Sequence, residues 1–124
     1  MSPIWIKWGS ALMFLAVALG AFGAHALKAK ISPEAMEVYK TAVLYHMIHA
    51  LGLLAIAGLS GAAADHRLFW AGTLLVSGIV LFSGSLYLLA ITEQKWLGAL
   101  TPLGGLAFLA AWGIVFIVFF NKGG

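Results

Sequence analysis

The chain has 124 residues, 63% hydrophobic and only 9% charged, whereas soluble domains carry about 25% charged residues; too little charge is present to coat a water-facing surface, and disorder requires the opposite composition. Seven Lys and Arg against four Asp and Glu give a net charge of +3, scattered without the basic patch that nucleic acid as a partner requires. Zero cysteines exclude disulfides, thiolate metal sites and cysteine nucleophiles.

A membrane-spanning helix needs roughly 20 mainly apolar residues, and four runs qualify in chain order. The first covers about residues 8–27. Lys7, this run and Ala24-His25-Ala26 also have the layout of a signal peptide, but the segment is read as a retained first helix. The link that follows carries Lys28, Lys30, Glu34, Glu37 and Lys40. Within it, Ser32-Pro33-Glu34 is a helix start, with Ser as cap, Pro at the first helical position and an acid at the positive dipole end. A helix from residue 33 to about 60 exceeds the bilayer by roughly two turns, which leaves Glu34, Glu37 and Lys40 in water.

The second run covers about residues 41–63 and ends in a short turn at 64–67. The third covers about 68–92, and the residues Glu93–Lys95 separate it from the fourth, at about 96–120. Short links make sequential helices antiparallel neighbours, and the continuous apolar runs lack the alternation of a β-barrel. The expected fold is an all-α integral membrane protein. It is a single domain, 1–124, forming a four-transmembrane-helix antiparallel (up-down-up-down) bundle, with both ends, including Ser2 and Gly123, on one side. The side of the longer links holds Lys28, Lys30, Lys40 and Lys95 against Lys7, Arg67 and Lys122 opposite. By the positive-inside rule the longer links face the cytoplasm.

Small residues recur within the runs, with Ala16, Gly20 and Ala24 four apart and Gly23 beside them. Gly84, Gly104 and Gly105 mark the third and fourth helices. Helices in lipid associate by close packing rather than by hydrophobicity, so Gly20, Gly23, Gly84, Gly104 and Gly105 are expected at helix contacts. Glycine-lined faces also suit a homo-oligomer.

The polar residues of the spans gather in the half nearest the longer links. His25 ends the first helix, and Tyr39, Thr41, Tyr45, His46 and His49 begin the second. Ser83, Ser85 and Tyr87 lie late in the third, and Thr101 and Pro102 early in the fourth. Such a set supports three readings: an interhelical hydrogen-bond network, a metal site on His46 and His49 with His25 as third ligand, or a headgroup or small-molecule pocket. No acid or cysteine within a span completes a metal site, so no metal and no cofactor are expected. Thr41, Tyr45 and His49 repeat every four residues as one stripe. His25, His49 and Tyr87 are expected in one polar cluster, with His46 about 60° off the stripe at 100° per residue.

The same residues carry a resemblance. Gly20-Ala-Phe-Gly-Ala-His-Ala-Leu27, Thr41-Ala-Val-Leu-Tyr-His-Met-Ile-His-Ala-Leu51, Phe82-Ser-Gly-Ser-Leu-Tyr87 and Leu97-Gly-Ala-Leu-Thr-Pro-Leu-Gly-Gly105 with Trp112 follow one order. In this the chain resembles the bacterial domain of unknown function 423 family, which has a eukaryotic relative called transmembrane protein 256. Ala111 departs from the glycine that the family pattern favours before Trp112. The resemblance implies a four-span inner-membrane protein and brings no activity, substrate or cofactor.

Function classes separate on chemistry. A proton-coupled exporter wants a carboxylate inside the membrane, and all four acids lie in the links. A haem or metal carrier would draw on His25 and His49. A hydrolase on Ser83 or Ser85 lacks a buried orienting acid. The reading that remains is a non-enzymatic protein that binds membrane lipid or a small ligand, or supports assembly of a membrane partner.

Overall fold

Backbone amides and carbonyls have no water to bond within lipid, so each apolar run must satisfy them internally as a helix. The computed structural model describes residues 3–120 and Lys122; Ser2 and Gly123 lie outside the described residues. Four helices among the described residues are long and apolar enough to cross a membrane. They are α1 (Ile4–Leu27), α2 (Pro33–Ala62), α3 (Arg67–Thr92) and α4 (Lys95–Phe120).

Local chemistry sets the boundaries. Ser32 is extended, and its hydroxyl accepts the Ala35 N–H at 3.0 Å ahead of Pro33 and Glu34. This satisfies one of the amides that a helix start leaves orphaned. Between α2 and α3, the Asp65 carboxylate accepts the Arg67 amide at 3.0 Å and its guanidinium at 3.1 and 2.8 Å. The hydrogen bonds and charge of Arg67 hold the Asp65 carboxyl well below the usual carboxylate range. α3 stops at Glu93, whose φ of 57° is left-handed and whose N–H donates to the Leu89 carbonyl at 2.8 Å. Glycine adopts that conformation without the Cβ penalty. Glu93→Gly is therefore expected to stabilise the protein by about 1 kcal/mol, read as a higher midpoint of thermal unfolding in detergent.

Two of the helices widen, α1 toward its C-terminal end and α3 near its middle. Ala18–Gly23 in α1 and Ile79–Ser83 in α3 form π turns, with the Ala24 amide on the Leu19 carbonyl and the Gly84 amide on the Ile79 carbonyl. α4 opens with a tighter 3₁₀ turn over Lys95–Ala99.

The antiparallel register is set by close approaches. A Cβ on Gly9 would meet Leu54, one on Gly20 would meet Val43, and one on Gly23 would meet Tyr39, so α2 descends as α1 rises. Between α3 and α4, a Cβ on Gly78 would strike the Phe108 ring at 2.3 Å, and one on Gly104 the Phe82 backbone nitrogen at 2.3 Å. α2 and α3 form the centre; α1 lies along α2 and α4 along α3. Crossing side chains complete the bundle: Trp5 of α1 fills the notch at Gly72 of α3, and Trp112 of α4 covers Gly52 of α2. Leu53, Ile56, Leu68, Leu75, Phe108 and Val118 anchor the apolar core of the half nearest the 63–66 turn. Two expected packing positions differ from this pattern. A Cβ at Gly84 or Gly105 would meet its nearest neighbour at 4.0 Å, an ordinary contact, so no helix closes on them.

Candidate functional site

The half of the bundle nearest the longer links is joined by hydrogen bonds between helices. Tyr39 on α2 donates its hydroxyl to the Leu19 carbonyl of α1. That carbonyl sits in the π turn, where the amide of Ala24 reaches back five residues to it. The wider turn leaves room for a second donor. Ser83, in the other π turn, donates to the Ala42 carbonyl of α2 at 2.8 Å and is fully buried. His46 and Tyr87 join α2 to α3 through Nδ1 and the phenol oxygen at 2.8 Å. Ser85 and Thr101 join α3 to α4 at 2.7 Å, and Ser85 also donates to the Phe82 carbonyl at 3.0 Å. All three helix pairs in sequence are thus tied at this end. The opposite half relies on rings set into glycine notches.

The expected cluster of His25, His49 and Tyr87 is not what forms. Tyr87 bonds His46, and its ring packs on Tyr39 at 5.4 Å. His46 is sealed: its Nε2 is buried and makes no hydrogen bond of good geometry, with the Leu12 backbone of α1 beside the ring. His25 is exposed and lines a shallow groove of about 400 Å³ with Lys28, Met36 and Lys40. His49 turns the other way, toward α4. Its ring stacks on Phe108 at 3.6 Å and 7°, and Trp112 lies at 5.8 Å. The reason is position: α2 is central, so a 60° difference in phase sends His46 and His49 into different interhelical grooves. Among the described residues no three of His, Asp and Glu gather as metal ligands. His25 and His49 line grooves that share no residue, which removes the paired ligation that a haem reading draws on.

His49 and Tyr45 border an apolar groove of about 570 Å³ between α2 and α4. Its walls include Phe82, Gly105, Phe108 and Trp112, with Leu106 and Leu109 at the rim. Leu106 and Leu109 are 63% and 71% exposed, so the groove opens sideways to the surroundings of the bundle. Tyr45 packs on Phe82 at 4.5 Å and is part of the same aromatic wall. Within the groove, His49 fixes its own ring: Nδ1 lies 2.7 Å from the Tyr45 carbonyl. A carbonyl only accepts, so Nδ1 carries the proton.

Sequence reasoning named Tyr45 and His49 as site residues, quoted Phe82 and Trp112 only within the family motifs, and passed over Phe108. A signal existed: Gly105, Phe108 and Trp112 fall at i, i+3 and i+7, one face of α4. Tyr39 was noticed as polar, yet its role in closing the α1 turn follows only from the π geometry.

Comparison with known proteins agrees with a membrane protein. The model of the family described as "Protein of unknown function (DUF423)" matches residues 19–105. A UPF0382 membrane protein of Staphylococcus haemolyticus is 46% identical over 95% of this chain and 96% of its own length. The UPF0382 membrane protein YwdK of Bacillus subtilis is 49% identical over 88% of this chain and 89% of its own. One from a bovine strain of Staphylococcus aureus is 42% identical over 98% of both. No solved structure matches. Four spanning-length helices, the matched family model and these full-length relatives lead to one conclusion: the chain is a membrane protein of the DUF423 family.

Proposed function

We propose that this protein is a non-catalytic component of the cell membrane that takes an apolar molecule from the bilayer into the groove between α2 and α4. The groove itself carries the reading: about 570 Å³, walled by aromatic and aliphatic side chains and open at Leu106 and Leu109. Pockets for small ligands are mostly apolar, with a few polar groups that fix orientation, and His49 and Tyr45 fit that role. The chemistry of the spans supports binding over catalysis. Glu34, Glu37, Asp65 and Glu93 lie in first turns or between helices. Neither Ser83 nor Ser85 bonds a histidine; their hydroxyls go to the Ala42 and Phe82 carbonyls and to Thr101. Membrane lipids are the partners in this reading, and a second copy of the chain is a further one.

Gly105 provides the test, because it lines the groove and its Cβ direction is free. Gly105→Leu is expected to fill the groove while leaving stability equal or up to about 1 kcal/mol higher, since Gly is the poorer helix former. Native mass spectrometry of protein purified in mild detergent should then show severalfold less retained lipid than the parent. Equal retention by a folded Gly105→Leu variant would count against the groove as the binding site.

A further inference from the structure

We infer that the groove between α2 and α4 selects a hydroxyl-bearing, membrane-dissolved molecule whose O–H donates to His49 Nε2. The inference rests on the groove's being a binding site and adds what it binds. It starts from the unused nitrogen of His49. Nδ1 is committed as donor to the Tyr45 carbonyl at 2.7 Å. All four acids of the chain stand at helix ends or in the 63–66 turn, so no carboxylate accompanies the ring at its depth, and a lone charged imidazole in hydrocarbon is expensive. The ring is therefore neutral, and its Nε2 is a lone-pair acceptor with no donor of its own. Among the described residues nothing bonds that atom, and unlike His46 Nε2 it is not sealed from contact. His49 is otherwise 95% buried by its 5% exposure, held flat on Phe108. An acceptor held on a side chain that lines an apolar groove is satisfied by an O–H or N–H donor from the occupant.

Depth narrows the donor. His49 lies 16 residues past Pro33 in a helix that runs to Ala62, about 24 Å along a length of about 45 Å at 1.5 Å per residue. Phospholipid headgroups stay at the interface and cannot bring a hydroxyl to mid-membrane. A small hydroxylated molecule dissolved in the bilayer can. Two sources share that chemistry, a hydroquinone ring on an apolar tail and a free isoprenoid alcohol, and both fit a wall of Tyr45, Phe82, Phe108 and Trp112.

The test uses the full chain in nanodiscs of phosphatidylglycerol and phosphatidylethanolamine containing a photoreactive phospholipid that reports groove occupancy by crosslinking. The competitors are an alkylated hydroquinone, its dimethyl ether, farnesol and farnesyl methyl ether. Each ether keeps the shape of its parent and loses the O–H. At least one free hydroxyl compound is expected to compete about tenfold better than its ether, the factor that 1.4 kcal/mol represents. A preference confined to the hydroquinone pair assigns the ring, and one confined to the farnesol pair assigns the isoprenoid alcohol. In His49→Phe, which keeps the stack on Phe108, that preference disappears while phospholipid crosslinking persists. Independently of any variant, the ¹⁵N resonance of His49 Nε2 should shift when the hydroxyl compound is added and stay when the ether is added. Equal competition by hydroxyl and ether in both pairs, a preference that survives His49→Phe, or an unmoved Nε2 resonance would overturn the inference. Absence of groove crosslinking in the parent chain, or groove crosslinking that Gly105→Leu leaves unchanged, would instead overturn the groove as a site.

Discussion

Gly104→Ala is expected to destabilise the bundle by about 2–3 kcal/mol, the upper range for forcing extra volume into a packed contact, and Gly104→Leu to prevent α3 and α4 from closing. The added Cβ would stand 2.3 Å from the Phe82 backbone nitrogen and 2.8 Å from its Cα. Backbone cannot rotate away as a side-chain tip can, so the helices must separate. Separation also pulls apart the Ser85–Thr101 bond at 2.7 Å and the Gly78–Phe108 contact. The neighbouring residue gives the control. Gly105→Ala meets nothing closer than 4.0 Å and should be neutral or stabilising by up to about 1 kcal/mol, the helix-propensity gain of Ala over Gly. Thermal unfolding in one detergent, followed by helical circular dichroism, measures both. Similar losses from the two substitutions would show that helix propensity, rather than contact between α3 and α4, governs these positions.

The second large effect concerns the joint between α1 and α2. Gly23 leaves room for the Tyr39 hydroxyl: a Cβ there would sit 2.2 Å from the phenol oxygen but 3.4 Å from Cζ. Gly23→Ala alone is expected to cost about 2–3 kcal/mol by overpacking, because the displaced hydroxyl also loses the Leu19 carbonyl. Tyr39→Phe alone should cost about 1 kcal/mol, the net worth of one hydrogen bond. The double variant should cost little more than Tyr39→Phe, because the atom that collides is gone. Strong non-additivity of this kind is the signature of two residues in contact. Additive losses would mean that the Gly23 notch serves something other than Tyr39.

Much of the architecture was readable without coordinates, and for a definite reason. Lipid forces every crossing segment into a helix, so four apolar runs of sufficient length already imply four spans, and short links already imply antiparallel neighbours. The helix start at Ser32-Pro33 was equally legible, because a cap hydroxyl and a proline without an amide act locally. The set of polar residues was legible too, since side chains that hydrogen-bond inside a bundle are few and conspicuous in a sequence this apolar.

Their pairing was not legible. Sequence periodicity gives the angle of a residue around its helix but not which helix stands at that angle. His46 meets Tyr87 and His49 meets Phe108 because α2 occupies the centre, with α3 and α4 at different bearings around it. The π turns at Ala18–Gly23 and Ile79–Ser83 add a second obstacle. Each takes up one extra residue, so positions beyond it are turned by about 100° from the phase that a regular helix predicts. Ser85 and Tyr87 lie beyond one such turn and His25 beyond the other. The adjacent glycines 104 and 105 make the same point at one step of the chain: identical residues, one pressed against backbone and one lining an open groove. Composition and run length thus determined the membrane, the helices and their alternation, through forces that act within a segment. Tertiary packing alone decided which polar groups meet and where a groove is left, because those depend on the bearing and distance of helices remote in sequence.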